Sequence, residues 1–256
     1  MTTPQPVESV FSRGWELLTR NWIIIVPGIV IGAILGVLRV VLAPPAMYTT
    51  DAAGTTVYNT GALGATLLST ALLSLVGLIA YIANQAFTTG MAGAAWQRGV
   101  ATLADGVAAF QEDAGRIIIT AIGLILLAIV AVILSIPTIG IALLAFYLFT
   151  LYAMPAAIVG NRPGFSSIAE SFRITLARFV PTLILGIVIF VITLVATFIA
   201  AVLHAIPFLG PIVGGILTQI VVAYATLVVV GEYLNLRNTG AIAPPSTPNT
   251  PGAPVV

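Results

Sequence analysis

Between Arg178 and Glu232 the chain runs for 53 residues without a charged side chain. Two similar gaps precede it: 45 residues separate Arg116 from Arg162, and 46 separate Asp51 from Arg98. A shorter one, of 18 residues, lies between Arg20 and Arg39. A helix needs about 20 apolar residues to cross the ~30 Å hydrocarbon core of a bilayer, and these gaps are built for that purpose. Charged residues make up only 7% of the chain, against about 25% in soluble domains, and apolar residues make up 59%. That balance excludes a soluble globular protein. It also excludes disorder over most of the length, which requires low hydrophobicity and high charge.

Breaks inside the gaps set the number of crossings. The gap after Asp51 opens with a Gly/Thr/Asn-rich loop over 52–61 and leaves room for one span, about 64–87. The run Ser135-Ile136-Pro137-Thr138-Ile139-Gly140 divides the next gap into spans at about 116–136 and 139–159, since Pro and Gly interrupt helices. His204 to Pro211 divides the last into about 180–203 and 211–231, and the first gap holds about 22–43. The expected fold is all-α and polytopic, with six transmembrane helices arranged as three hairpins over residues 7–237. Residues 1–6 are expected to be a flexible start. Met1–Val10 lacks the basic n-region and short apolar core of a signal peptide. Residues 238–256, with prolines at 244, 245, 248, 251 and 254, are expected to form a disordered tail.

Six spans put Arg13, Arg20, Arg98, Arg116, Arg162, Arg173, Arg178 and Arg237 on one side and leave Arg39 alone near the other. Loops on the cytoplasmic side concentrate Arg and Lys. The expected location is therefore the cell (inner) membrane, multi-pass, with both termini cytoplasmic.

A pattern recurs before the first, third and fifth spans. Phe11, Trp15, Leu18 and Trp22 follow a 4-3-4 spacing that places them on one helical face, with Arg13, Glu16, Thr19 and Arg20 opposite. Val100, Leu103, Val107, Phe110 and Ile117 form the second copy, and Phe165, Ile168, Phe172, Leu176 and Phe179 the third. Helices apolar on one side with Arg at the rim lie in the headgroup plane. Each span hairpin is thus expected to follow an amphipathic interfacial helix. That helix is a topological anchor or, on the functional reading, part of a collar that binds anionic lipid through Arg13, Trp15, Arg20, Arg116, Arg173 and Arg178. Glu170 and Glu232 are read as exposed acids that offset part of this attraction.

The stretch Tyr152-Ala153-Met154-Pro155-Ala156-Ala157-Ile158-Val159, followed by Gly164-Phe165-Ser166-Ser167-Ile168-Ala169-Glu170-Ser171-Phe172-Arg173-Ile174-Thr175, is similar to a recurring bacterial and archaeal membrane pattern. Val10-Phe11-Ser12-Arg13-Gly14-Trp15 and Glu232-Tyr233-Leu234-Asn235-Leu236-Arg237 share it. Over residues 7–237 the chain resembles the membrane domain attached to some glycerophosphodiester phosphodiesterases, together with stand-alone YciC-like proteins. The resemblance implies six spans and no activity; the phosphodiesterase chemistry belongs to a catalytic part that this stretch does not match.

The residue inventory speaks against catalysis. There is no cysteine and one histidine, His204, and the acids are scattered. No nucleophile elbow, Walker A loop or dinucleotide fingerprint is present. No cofactor is expected, and a net charge of +1 without a basic cluster argues against nucleic acid. Within the spans Arg39 is expected to snorkel to the outer headgroups or pair with Asp51. Asn84 and Gln85 are expected to act as hydrogen-bond glue between helices. Gly28, Gly32 and Gly36, with Gly210 and Gly214, form small-residue stripes expected to bring helix backbones together, within one bundle or between two copies. Pro27, Pro181 and Pro211 are read as ordinary first-turn prolines. The expected function is non-enzymatic: a scaffold or accessory subunit contacting lipid, a protein partner or a second copy. The alternative is a small permease or channel for an apolar or amphipathic solute.

Overall fold

The computed structural model describes residues 5–42, 48–50, 54, 56–58, 60–162, 164–203, 206 and 209–240. The expectations placed on Asp51, His204, the side chain of Arg39 and the tail from 241 onward lie outside the described residues.

The first helix, α1 (Val7–Arg20), carries Glu8 in its first turn and Arg20 in its last, both favourable to the helix dipole. Asn21, with φ −123° and ψ 50°, stops it. After a 3-10 turn, Trp22–Ile25, α2 (Val26–Val41) leaves at 90° to α1. A two-stranded antiparallel hairpin, β1 (Tyr48–Thr50) and β2 (Thr56–Tyr58), pairs Tyr48 with Tyr58. Then comes α3 (Thr60–Arg98), whose 39 residues extend about 58 Å at 1.5 Å per residue. That is nearly twice the thickness of a hydrocarbon core, so its last turns project beyond it. Gly99, at φ +80°, ends the helix in a conformation that favours glycine.

Next, α4 (Leu103–Ser135) starts where the Asp105 carboxylate accepts the Thr102 backbone N–H at 2.8 Å and the Thr102 hydroxyl at 2.9 Å. Its far end turns through Ile139 and Gly140, both at positive φ, into α5 (Ile141–Thr150) and α6 (Ala153–Ile158). The chain closes with α7 (Phe165–Ala177), α8 (Phe179–Leu203) and α9 (Leu209–Asn238). Pro27, Pro181 and Pro211 fall in the first turns of α2, α8 and α9, where a missing N–H leaves no bond broken.

Among the described residues five helices are long and apolar enough to cross a bilayer, six when the bent pair at Asn21 is taken as one span. Hairpins join α2 to α3, α4 to α5 and α8 to α9. The chain is an all-α polytopic membrane protein. Its described ends meet: Gln5 N–H donates to Asn235 Oδ1 at 3.0 Å, and Asn235 Nδ2 donates to the Gln5 carbonyl at 3.2 Å.

Two details depart from the sequence reading. The second amphipathic stretch is no separate helix, because α4 runs unbroken from Leu103 into its span. The position six residues after each anchor aromatic explains this. Asn21 (after Trp15) and Arg178 (after Phe172, φ −130°, ψ 46°) break the helix with nearly the same backbone geometry, whereas Arg116 (after Phe110) stays helical.

The fourth span is likewise not continuous. It breaks at Leu151–Tyr152, three residues before Pro155, and α7 repairs the break. The Ser171 hydroxyl accepts Tyr152 N–H at 3.1 Å and donates to the Phe149 carbonyl at 2.6 Å, while the Thr175 hydroxyl donates to the Leu148 carbonyl. Unsatisfied backbone groups at membrane depth cost several kcal/mol, so these hydroxyls make the break tolerable.

On α1 one face packs against the bundle and the tryptophans lie off it. Val10, Gly14, Leu17 and Leu18 pack inward, while Trp15 and Trp22 are 56% and 64% exposed.

The core sits at the end of the bundle where α1, the last turns of α3, α6, α7 and the end of α9 converge. One cluster joins Leu17, Met91, Ala95 and Leu227, and another joins Tyr152, Ile174, Val228 and Tyr233. Glycines make the approach possible. A Cβ on Gly14 would reach Val228 at 3.0 Å, one on Gly106 would meet Phe87 at 2.8 Å, and one on Gly231 would enter the Trp96 ring. Farther along the spans Leu67, Leu75, Ile133, Phe198 and Ile212 face outward, which costs nothing when the surroundings are hydrocarbon.

Candidate functional site

The packed end holds most of the arginines, and the fold employs nearly all of them. On α1, Glu16 bridges Arg13 at 2.5 Å and Arg20 at 2.7 Å. The Arg13 hydrogen bond, aided by the charge of Arg20, holds the Glu16 carboxyl below its ordinary range. These are exposed i,i+3 and i,i+4 pairs, worth little each. Arg98 pairs with Asp105 at 2.5 Å. Burial works against ionisation there, yet hydrogen bonds from Arg98 and Thr102 keep the Asp105 carboxyl below its usual value.

The stronger lock joins α7, the loop before it and the end of α9. Glu170 and Glu232 are 6% and 3% exposed, not surface acids. Glu170 forms an ion pair with Arg162 and accepts the Tyr233 hydroxyl at 2.9 Å. Arg237 donates to the Val159 carbonyl at 2.9 Å, and Asn235 donates to Glu232 at 3.1 Å. Arg178 turns inward toward the charge of Glu232, with its Nε buried and without a hydrogen-bond partner. The α7–α8 break falls at Arg178, which is half-buried.

Asn21, which the sequence reading passed over, fastens the other corner. Its amide donates to the carbonyls of Leu17 and Gly99 at 3.0 and 3.1 Å and accepts Ala101 N–H at 2.7 Å. The visible signal was position: Asn21 stands where Arg178 stands in the third unit.

The three anchor aromatics do share a role. Trp15 meets Tyr224 edge-on at 5.9 Å, Phe110 meets Phe87 at 5.6 Å, and Phe172 meets Phe149 at 5.0 Å. Each amphipathic segment thus rests one aromatic ring on an aromatic ring of a span.

Two open features remain. Between α4 and α7 lies a groove of about 980 Å³, walled by Gly123, Leu126, Phe165, Phe172 and Leu176, with Arg173 on its lining. Arg173 is exposed, and no ion pair or hydrogen bond reaches it among the described residues. Arg116, half-buried in α4, is engaged within the fold.

The second feature is a cleft of about 510 Å³ between α2 and α9, lined by Gly28, Gly32, Gly36, Gly214 and Gln219. Of the two expected glycine contacts, the one within the bundle is not made at Gly32 and Gly36, where a Cβ would find open space among the described residues. The two helices splay, and at Gly28 it is the Gln219 side chain that fills the gap. Gly210 and Gly214 are buried on α9. Gln219 is the residue the sequence reading missed, although it is a lone amide in a charge-free run. Asn84, buried on α3, approaches it at 3.5 Å and leaves its own Oδ1 without a partner. Gln85 points elsewhere and donates to the Tyr81 hydroxyl one turn back on α3, since neighbours on a helix diverge by about 100°. It is not interhelical glue.

No group of three metal-ligating side chains converges among the described residues. The class defined by this arrangement is a polytopic helical membrane protein, close-packed and charge-locked at one end and loosely packed toward the other. No protein-family model, no curated protein and no solved structure matches the chain.

Proposed function

We propose that this protein is a non-enzymatic scaffold or accessory subunit of the cell (inner) membrane, with both termini cytoplasmic, whose packed end contacts lipid or a protein partner. One observation carries the reading. The packed end is closed by side chains that rest on Gly14, Gly106 and Gly231 and by the Arg162–Glu170–Tyr233 lock. A bundle sealed in this way at one end supports a rigid platform rather than a conduit. The eight-to-one sidedness of the arginines supports the orientation. The YciC-like resemblance, which brings no activity, adds none to this proposal.

The α2–α9 cleft favours the second reading, a permease for an apolar or amphipathic solute. It offers glycine-walled space beside Gln219 and the unpartnered Asn84 oxygen. Solute flux in reconstituted vesicles separates the two. The scaffold reading expects efflux of small polar and amphipathic dyes at the rate of protein-free vesicles. Efflux that rises with protein density and falls on Gln219→Leu would replace it with the permease.

A further inference from the structure

The α4–α7 groove is an exposed apolar surface with an arginine on its lining. Leu126 and Leu127, on its lining, belong to the apolar span Ala114–Ser135, more than two turns beyond its one charged residue, Arg116. The opposite wall is α7, whose amphipathic sequence carries Ser166, Glu170 and Arg173. The groove thus runs from hydrocarbon depth to the helix expected at the interface. Its shape follows from a close crossing: a Cβ on Gly123 would lie 2.6 Å from Ile168 and 2.8 Å from Phe165. Its volume, about 980 Å³, lies at the upper end of the roughly 300–1,000 Å³ typical of small-ligand sites.

The electrostatics select the occupant. Arg13 and Arg20 are held by Glu16, Arg98 by Asp105, and Arg162 by Glu170; Arg237 is held by a carbonyl. Arg178 faces Glu232, and Arg116 is engaged. Glu170, the acid nearest to Arg173 along α7, is turned inward and bound to Arg162 and Tyr233. Among the described residues, Arg173 is an exposed arginine that no ion pair or hydrogen bond reaches. It sits on the lining of an apolar groove.

We propose that the α4–α7 groove binds one anionic phospholipid of the leaflet around the packed end, with an acyl chain along Leu126, Phe172 and Leu176 and the phosphate on the Arg173 guanidinium. Arginine suits a phosphate because its planar fork donates two parallel hydrogen bonds. The site narrows the expected arginine collar to one residue, and it rests on the proposal that this end faces lipid.

Native mass spectrometry of the full chain, loaded from equimolar phosphatidylglycerol and phosphatidylcholine of matched chains, tests it. The parent is expected to retain one phosphatidylglycerol preferentially. Arg173→Gln is expected to lower that retention about fivefold while leaving phosphatidylcholine unchanged, the factor expected for one arginine near an anionic surface. Ala169→Trp, at an exposed position on the groove lining, fills the space and is expected to expel both lipids. Arg13→Gln, whose charge is already paired, is expected to change nothing. Equal retention of both lipids by the parent, or equal losses in Arg173→Gln and Arg13→Gln, would overturn the site. Displacement of phosphatidylglycerol by millimolar inorganic phosphate would reassign it to a soluble anion. Vesicle efflux measured on the same preparations reads the scaffold proposal separately: efflux without lipid preference defeats both, and lipid indifference without efflux defeats this site alone.

Discussion

Removing the carboxylate of Glu170 gives the sharpest test of how the packed end is held. The Arg162 and Glu170 side chains are 15% and 5% exposed, and the Tyr233 hydroxyl donates to the same carboxylate at 2.9 Å. Deleting one partner of a buried pair costs about 3–5 kcal/mol, because the other charge stays desolvated. Glu170→Ala therefore removes the carboxylate of the Arg162 ion pair and orphans the Tyr233 hydroxyl together. For a chain of this size about 1 kcal/mol moves Tm by roughly 2–4 °C, so the expected drop is roughly 6–20 °C, followed by tryptophan fluorescence in mild detergent. The double variant Arg162→Met/Glu170→Leu removes both charges and is expected to regain at least half of the loss, since an apolar replacement of similar volume is often neutral. A Glu170→Ala shift under about 2 °C, the behaviour of an exposed pair, would refute the claim that this end is charge-locked. A double variant as unstable as the single would show that shape, not charge, dominates.

Three further outcomes follow from the same structure. Gly231→Val drives a side chain into the Trp96 ring and is expected to cost about 1–3 kcal/mol by overpacking, with a shift in tryptophan emission. Gly32→Val, which meets open space, is expected to leave both unchanged, and the opposite ranking would contradict the packing described. Asp105, held below its ordinary value of 3.8, contributes stability in full above that value. The contribution is lost as pH falls from there through the depressed folded value, so acid unfolding should begin at higher pH in the parent than the rest of the fold requires, and Asp105→Asn should abolish this component. Cysteines at Ile136 and Asn238, both exposed at opposite ends of the bundle, are expected to label from outside and inside intact cells respectively, and labelling from one side would break the six-span count.

The positions of the spans were legible in the charge gaps alone. Crossing a bilayer is a demand on local composition: any 20-residue apolar stretch meets it whatever it packs against. The breaks at Pro137–Gly140 and near Pro207, the first-turn prolines and the recurrence of Trp15, Phe110 and Phe172 are of the same local kind. Facing is different. In a soluble protein the polar side of a helix reports which side is buried, but in a membrane the lipid-facing and core-facing sides are equally apolar. Hence nothing in the spacing shows that Gly14 and Leu17 pack on the bundle while Trp15 and Trp22 stay exposed. Hence also the Gly32–Gly36 stripe opens on a cleft, while Gly106 and Gly231, which carry no pattern, make the contacts. The fates of the charges were decided in the same way. Glu170 lies beside Arg162 only because the turn at Gly164 folds α7 back under the end of α9, and Arg178 faces Glu232 only because α7 stops there. Sequence spacing determines where a chain enters the membrane; which arginines remain free to meet a ligand is decided by the helices that come to lie against them.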